Sequence, residues 1–268
     1  MRAGIIGYGS MGKMLLWKFS ESGVACKQDL FVANRTREKL DDAKGIASIC
    51  GSNAEVARNS DVVFLCVRPA DLREVLDEIR GDVKDGTLLV SLNGSISFEA
   101  MERVVCHKMA KVIPSVTAEV NKSQTLVCYN RLVDDADKEM LLRLLQTIGN
   151  VIELPEHEMG MGSELVSCMP GFIASLFDVI ANSAMKHTQI PPRQAVTMLL
   201  NTVCATGELM LKNDMTFNDV VTRVATKGGI TEEGSRVIYD MFPTVADKMF
   251  ERTLEKRRTV AEKANESF

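Results

Sequence analysis

A chain of 268 residues has room for about two domains, and its composition, 46% hydrophobic and 25% charged, is that of a globular protein. A net charge of −4 leaves no basic footprint for nucleic acid. The longest apolar runs read as too short to span a bilayer, and the first residues run straight into a strand, so neither a membrane partner nor a secretory leader is expected. Seven cysteines (Cys26, Cys50, Cys66, Cys106, Cys128, Cys168 and Cys204) form no C-x-x-C pair, which points to reduced thiols and a cytoplasmic location. His107, His157 and His187 have no ligand spacing, so no metal is expected.

Residues 2–6 form a short apolar strand that runs into Gly7-Tyr8-Gly9-Ser10-Met11-Gly12, after which Met11, Met14, Leu15 and Phe19 recur at helical spacing. Strand, glycine-rich turn and helix in that order make a dinucleotide site. Gly7 allows the turn, Gly9 lets the backbone approach a pyrophosphate, and Gly12 lets the helix pack on the strand. The free N–H groups of the helix start then face the anion.

Gly23 ends that helix and residues 29–33 form the second strand. An NAD site usually carries Asp or Glu after this strand. Here Asn34-Arg35-Thr36-Arg37 follows instead, with a guanidinium and short polar groups suited to a 2′-phosphate, so NADP(H) is expected. Residues 38–44 read as a helix, 47–50 as a third strand, and Ser52 as the cap of the next helix. The apolar run 61–67 is a strand buried on both faces. Arg68-Pro69 closes it, and Pro69 suits the first turn of a helix over 70–80. Strands follow at 87–92, 108–113, 125–129 and 151–154, with helices over 97–105 and 134–148. Residues 1–155 therefore alternate strand and helix, the pattern of a doubly wound (Rossmann) α/β domain with a parallel sheet, whose ligands bind at the carboxyl ends of its strands.

From residue 156 to 268 the pattern is all-α. Residues 159–187 are apolar at helical spacing, with Pro170 either a kink or the first residue of a second helix. Pro191-Pro192 opens a helix to about residue 211, Thr216 begins a short one, and Lys227-Gly228-Gly229 is a tight turn before a helix near Thr231. Phe242-Pro243 introduces the final helix, to about Asn265, whose last turns read as a solvated, charged face. The apolar faces exceed what one small bundle buries, which implies a homodimer or higher homo-oligomer through these helices; the alternative is that the helical domain closes on the sheet alone.

Along its whole length the sequence resembles the pyrroline-5-carboxylate reductases, which complete proline synthesis with NADPH. The glycine-rich turn, Asn34-Arg35-Thr36 and Asn53 match the family's dinucleotide and 2′-phosphate contacts. Cys66-Val67-Arg68-Pro69 matches its loop beside the nicotinamide, with Arg for Lys. Residues 224–234 match the substrate loop. The resemblance implies that Thr226, Lys227, Gly228, Gly229 and Thr231 bind a small cyclic imino acid, and that Thr231 is catalytic, its hydroxyl meeting the ring nitrogen. The amides around Gly228 and Gly229 would hold the substrate carboxylate. The departures from the usual pattern include Ser115 for Asn, Ser167 and Met169 for Gly, and Lys227 for Pro. They are closer to the late-competence (ComER-type) branch. Two other readings follow: an NADP(H)-binding member with an altered substrate or a regulatory role, and a β-hydroxyacid dehydrogenase, for which Lys186 is the one available lysine. Cys168 has no neighbouring base in sequence to make it a nucleophile.

Overall fold

The computed structural model describes residues 1–266 and residue 268. Contacts divide the chain into two compact units, Met1–Pro170 with Leu254–Phe268, and Gly171–Thr253. The composition change at 155/156 lies ahead of the first division. The final turns of the last helix belong with the sheet because they bond to it: Asn265 Nδ2 donates to Ser95 O at 3.1 Å, and Arg257 pairs with Glu164 at 2.7 Å.

The first unit holds strands β1 (Ala3–Ile6), β2 (Leu30–Ala33), β3 (Ser48–Ile49), β4 (Val62–Leu65), β5 (Leu88–Ser91), β6 (Met109–Ile113), β7 (Ser123–Tyr129) and β8 (Gly149–Glu153). Their order in the sheet is β3-β2-β1-β4-β5-β6-β7-β8. Between them run α1 (Ser10–Glu21), α2 (Asn53–Asn59), α3 (Pro69–Ile79), α4 (Phe98–Glu102) and α5 (Asp135–Leu145). β1 and β4 pair in parallel at the centre, where the strand order reverses.

Alternate side chains enter opposite layers, as a strand's period of two requires. Ile5 and Phe64 pack with Leu15, Leu16 and Phe19 of α1 on one face, where the Phe19 and Phe64 rings stand 5.3 Å apart. Ile6, Val63 and Leu65 pack with Leu72, Val75, Leu76 and Ile79 of α3 on the other. Each such aliphatic side chain contributes about 1.5–3 kcal/mol by its burial. The caps are local in sequence: Ser52 Oγ accepts from Glu55 N, Ser97 Oγ from Ala100 N, and Asp134 and Asp137 form a reciprocal capping box.

The sheet departs from the parallel pattern at β7, which runs antiparallel to β6, while β8 is parallel to β7. A parallel pair needs a crossover of a dozen or more residues. The short link from Ile113 to Ser123 carries only the 3₁₀ turn Val116–Val120, so the chain folds straight back. Residues Arg37–Ala43 are likewise 3₁₀ rather than the α-helix expected over 38–44.

Lys111 is the exception in the buried strands, at 2% exposure. Its ammonium donates to Ile96 O at 3.0 Å, pairs with Glu156 at 2.6 Å and lies 5.1 Å from the centre of the Phe98 ring. These partners supply what a buried charge needs.

Beyond Glu156, α6 (Met159–Ser163), a π-helical turn (Glu164–Cys168) and α7 (Met169–Ala184) follow without a break. Pro170 thus does not open a separate helix but lies in a continuous helical run just after a π turn, an irregularity that accommodates the missing N–H and the ring. The result corrects the expectation about membranes in one respect. The helical run Glu156–Ala184, 29 residues with an 18-residue stretch of mean hydropathy 1.6, is long and apolar enough to cross a bilayer by length and composition alone, a test that helices of soluble proteins also pass. The run reads as short only if Pro170 is taken to divide it.

The second unit consists of helical segments: α7 from Gly171, α8 (Pro192–Lys212), α9 (Phe217–Val224) and α10 (Ile230–Asn265) as far as Thr253. Thr216 caps α9 through a capping box with Asp219. α10 begins before Phe242-Pro243 and passes through it, so Pro243 lies inside one 36-residue helix rather than opening a new one. The proline removes a single hydrogen bond, and the carbonyl it frees belongs to Tyr239, an exposed residue that water reaches. Among the described residues of this unit only Ala181 is a buried hydrophobic, whereas Val179, Met198, Leu200, Val237, Ile238 and Met241 are all more than half exposed.

Glu164 is 1% exposed and its Oε1 accepts from Arg257 Nε at 3.1 Å and Nη2 at 2.7 Å. Arg257→Ala is expected to destabilise the protein by about 3 kcal/mol in urea unfolding, because it strands a buried carboxylate. Adding Glu164→Leu should recover part of that loss. Equal stability of the single and double variants would contradict this account.

Candidate functional site

The glycine-rich turn sits where β1 hands over to α1, at the reversal of strand order. Gly7 has φ +97°, and its N–H donates to Ala33 O at 2.9 Å. Gly12 lies against it so closely that a Cβ there would stand 2.0 Å from Gly7 O. At Gly9, the N-cap of α1, a Cβ would meet nothing within 4 Å. No side chain caps α1 and its first turn has no acidic residue, so the amides of Ser10 and Met11 face open space. That is a cradle for an anion.

Tyr8 is buried and joins this turn to the segment after β2. Its N–H donates to Asn34 Oδ1 at 2.9 Å, its hydroxyl donates to Asp42 Oδ1 at 2.9 Å, and Trp17 Nε1–H donates to its oxygen at 3.0 Å. Lys13 completes the set by pairing with Asp42. Burial pushes the Tyr8 phenol up to about 12. The side chains of Tyr8 and Asn34 thus help to frame the turn, and Asn34 Nδ2 also donates to Thr36 O at 2.8 Å.

Arg35, 81% exposed, is left as the main cation at the end of β2, with Thr36 and Arg37 beside it on the surface. A carboxylate that chain order hides stands close by. Asp71 of α3 is 3.8 Å from Arg35 and accepts from Arg68 Nε at 2.8 Å. The Arg68 guanidinium, foremost, and Arg35 hold Asp71 below the usual carboxylate range. Asn53 is likewise engaged, donating from N at 3.2 Å and Nδ2 at 2.7 Å to Glu78, also on α3. Val67, Arg68 and Pro69 lead from β4 into α3, and Asn93 Nδ2 donates to Val67 O at 3.1 Å, which fixes that loop to the end of β5. The fold thus brings the glycine-rich turn, residues 34–36, Asn53 and residues 67–69 to one edge of the sheet.

Thr226, Lys227, Gly228 and Gly229 lie in the turn between α9 and α10, and Thr231 in α10 itself, all in the second unit. Gly228 has φ +71°, and a Cβ on Gly229 would stand 2.3 Å from Thr226 Oγ1. Gly229 N donates to Thr226 O at 2.8 Å. The Gly228 N–H donates to Glu232 Oε2 at 2.5 Å, so this turn already holds a carboxylate. Lys227 is exposed, half-buried Thr231 is in the first turn of α10, and neither carries a distorted backbone.

The remaining candidates fall away. Cys168 lies 3.9 Å from Arg257 Nη2, yet burial, aided by Glu164, raises its thiol pKa, the opposite of an activated nucleophile. Lys186 is exposed in the turn after α7 rather than on the helix. Ser115 is a buried local cap, accepting from Thr117 N at 3.4 Å. Ser167 and Met169 flank the end of the π turn, half-buried. Among the described residues no group of His, Cys, Asp and Glu is arranged for a metal.

The chain is 31% identical to pyrroline-5-carboxylate reductase 3 of Bacillus subtilis, over 97% of this chain and 96% of that one. It belongs to the pyrroline-5-carboxylate reductase family. Residues 2–94 match the family model for NADP oxidoreductase, coenzyme F420-dependent, and residues 156–260 that for pyrroline-5-carboxylate reductase dimerisation. ComE operon protein 4 of B. subtilis is 25% identical over 94% of each chain. The fold is shared with the pyrroline carboxylate reductase of Plasmodium falciparum with NADP bound (TM-score 0.84, 21% identity, 97% and 98% coverage). It is shared equally with a pyrroline-5-carboxylate reductase of Coxiella burnetii (TM-score 0.86, 21% identity, 98% of each).

Within the glycine-rich turn, Gly12 and Gly9 differ sharply in the space around them. Gly12→Ala forces α1 off Gly7 O and should lower the unfolding free energy by about 1–3 kcal/mol. Gly9→Ala meets no atom of the protein and should stay within about 0.5 kcal/mol of wild type. Denaturant unfolding of the two variants checks the contrast, and equal losses would refute it.

Proposed function

We propose that the protein reduces the C=N bond of 1-pyrroline-5-carboxylate to L-proline with NADPH. The relation along the whole chain to a curated pyrroline-5-carboxylate reductase carries this reading, and the site's chemistry agrees with it. The open N-terminus of α1 at Gly9 fits a pyrophosphate, so the backbone from Gly7 to Gly12 holds that group. Arg35 and Thr36, with Asn53, take the 2′-phosphate. Val67, Arg68 and Pro69 wall the nicotinamide. When bound, the dinucleotide supplies the reducing equivalent, and the protein's part is orientation and charge placement. The amides around Gly228 and Gly229 hold the substrate carboxylate, which takes the Gly228 N–H over from Glu232. The Thr231 hydroxyl hydrogen-bonds the ring nitrogen, which fixes the imine and steadies the proton that the nitrogen gains.

The exposed apolar faces of α7, α8 and α10 support a homodimer, and the exposed side of Glu156–Ala184 is assigned to that interface rather than to a membrane. The protein acts in the cytoplasm. Ser115, Ser167, Met169 and Lys227 favour a second reading, in which the chain binds NADP(H) but turns over another substrate or serves a regulatory role.

NADPH oxidation with pyrroline-5-carboxylate, run beside NADPH calorimetry, decides between the two. Oxidation that Thr231→Ala lowers by about 10²-fold or more, with NADPH affinity unchanged, is the expected result. Tight binding without oxidation selects the second reading. Sedimentation should give twice the chain mass, and Val237→Asp with Ile238→Asp should shift it to the single chain. A wild type that sediments as a monomer refutes the dimer.

A further inference from the structure

Both groups best placed for the 2′-phosphate are engaged by carboxylates from one helix. Asp71 stands 3.8 Å from Arg35, and Glu78 accepts both from the backbone N–H and from Nδ2 of Asn53. The two acids are seven residues apart on α3, so they share a face. That face looks toward the ends of β2 and β3 and the start of α2, where Arg35 and Asn53 lie. The adjoining side of α3, with Leu72, Val75, Leu76 and Ile79, is buried in the sheet layer, so the helix cannot rotate its acids away. Asp71 is held further by two bonds from Arg68, at 2.8 and 3.4 Å. These are surface groups, and their ion pairs stabilise the fold little. Their charge still acts on a phosphate dianion brought within a few ångströms.

We propose that Asp71 and Glu78 are specificity-determining residues: they act as fixed counter-charges that temper the preference for a 2′-phosphorylated dinucleotide over an unphosphorylated one. This rests on the assignment of the 2′-phosphate to Arg35 and Asn53. An entering 2′-phosphate takes Arg35 from Asp71 and a donor of Asn53 from Glu78, and meets both carboxylates at short range. A 2′-hydroxyl meets neither penalty. The affinity ratio is therefore set by two opposed contributions, the guanidinium and the acids of α3, and removing an acid sharpens it.

The test uses the whole protein with two probes that differ only in the phosphate, adenosine 2′,5′-bisphosphate and 5′-AMP, bound by calorimetry. Asp71→Asn and Glu78→Gln keep the hydrogen-bonding shape and remove the charge. Each should raise the ratio of the two affinities about three- to tenfold at low salt, and the gain should fade as ionic strength rises. Asp71→Glu, which keeps the charge, should keep the wild-type ratio. If the acids serve only to anchor Arg68 and Asn53, both probes shift together and the ratio stays put. A ratio within twofold of wild type, or a lower one, overturns the proposal for that carboxylate. Arg35→Ala tests the underlying assignment separately: it must lower the ratio, and if it does not, the 2′-phosphate reading fails and the proposal falls with it.

Discussion

The approach of α1 to β1 at Gly12 is the constraint on which the rest of the first unit depends. A Cβ at Gly12 would lie inside the carbonyl of Gly7, and its next neighbour would be Cys66 at the end of β4. Because that space is free, the first turn of α1 stands directly above the central pair β1 and β4, and its amides point across the carboxyl ends of the strands. The buried Tyr8 then extends the arrangement sideways through Asn34 and Asp42, so that the segment after β2 takes its position from the same turn. The cradle and the neighbouring cationic edge are one hydrogen-bonded frame, rigid before any ligand arrives, which keeps the ordering cost of binding low.

Much of this was legible in the sequence, and the reason is that it is local. The order of strand, glycine-rich turn and helix, the caps at Ser52 and Ser97, and Pro69 at the first turn of α3 are each set by a few adjacent residues. The reversed β7 is legible only if the length of the 114–122 link is weighed against the needs of a crossover. Pro170 and Pro243 mislead for a shared reason. A proline costs a helix one bond and some crowding, which a π turn or a solvated carbonyl relieves, so its presence does not fix a helix start. What the sequence hides altogether is placement across the fold. Asp71, Glu78, the buried pair of Glu164 with Arg257, and the Lys111–Glu156 pair join residues from 20 or more positions apart, and no periodicity announces them. Arg257 in particular lies in a run that reads as a solvated face, yet it is the partner of the most deeply buried acid.

The two units rest on different physics. The first closes a core on both faces of its sheet and leaves few polar groups unpaired; Glu164 Oε2 is the one buried side-chain atom without a partner among the described residues. The second leaves long apolar stripes uncovered, far beyond the scattered exposed residues that a monomer tolerates. Helices of this kind gain little from propensity alone, since most helical stability comes from a packed apolar face. Covering those faces with a second copy turns folding of this unit into an association, and its stability then depends on protomer concentration.

A common device runs through both units. At three of the places where the family reading expects an anionic group of a ligand, though not at the open pyrophosphate cradle of α1, a carboxylate of the chain already stands: Glu232 on the Gly228 amide, Glu78 on Asn53, Asp71 beside Arg35. An unfilled donor costs free energy only where water is excluded, and these donors are exposed, so the acids are not needed to satisfy the fold. Their effect falls instead on binding. Each occupies its donor, and under the proposed function each would give the donor up when a ligand arrives. The net affinity is a difference between two similar interactions, and differences of that kind are set by small changes of charge. At such a site the acids behind the cation belong in the account of specificity as much as the cation does.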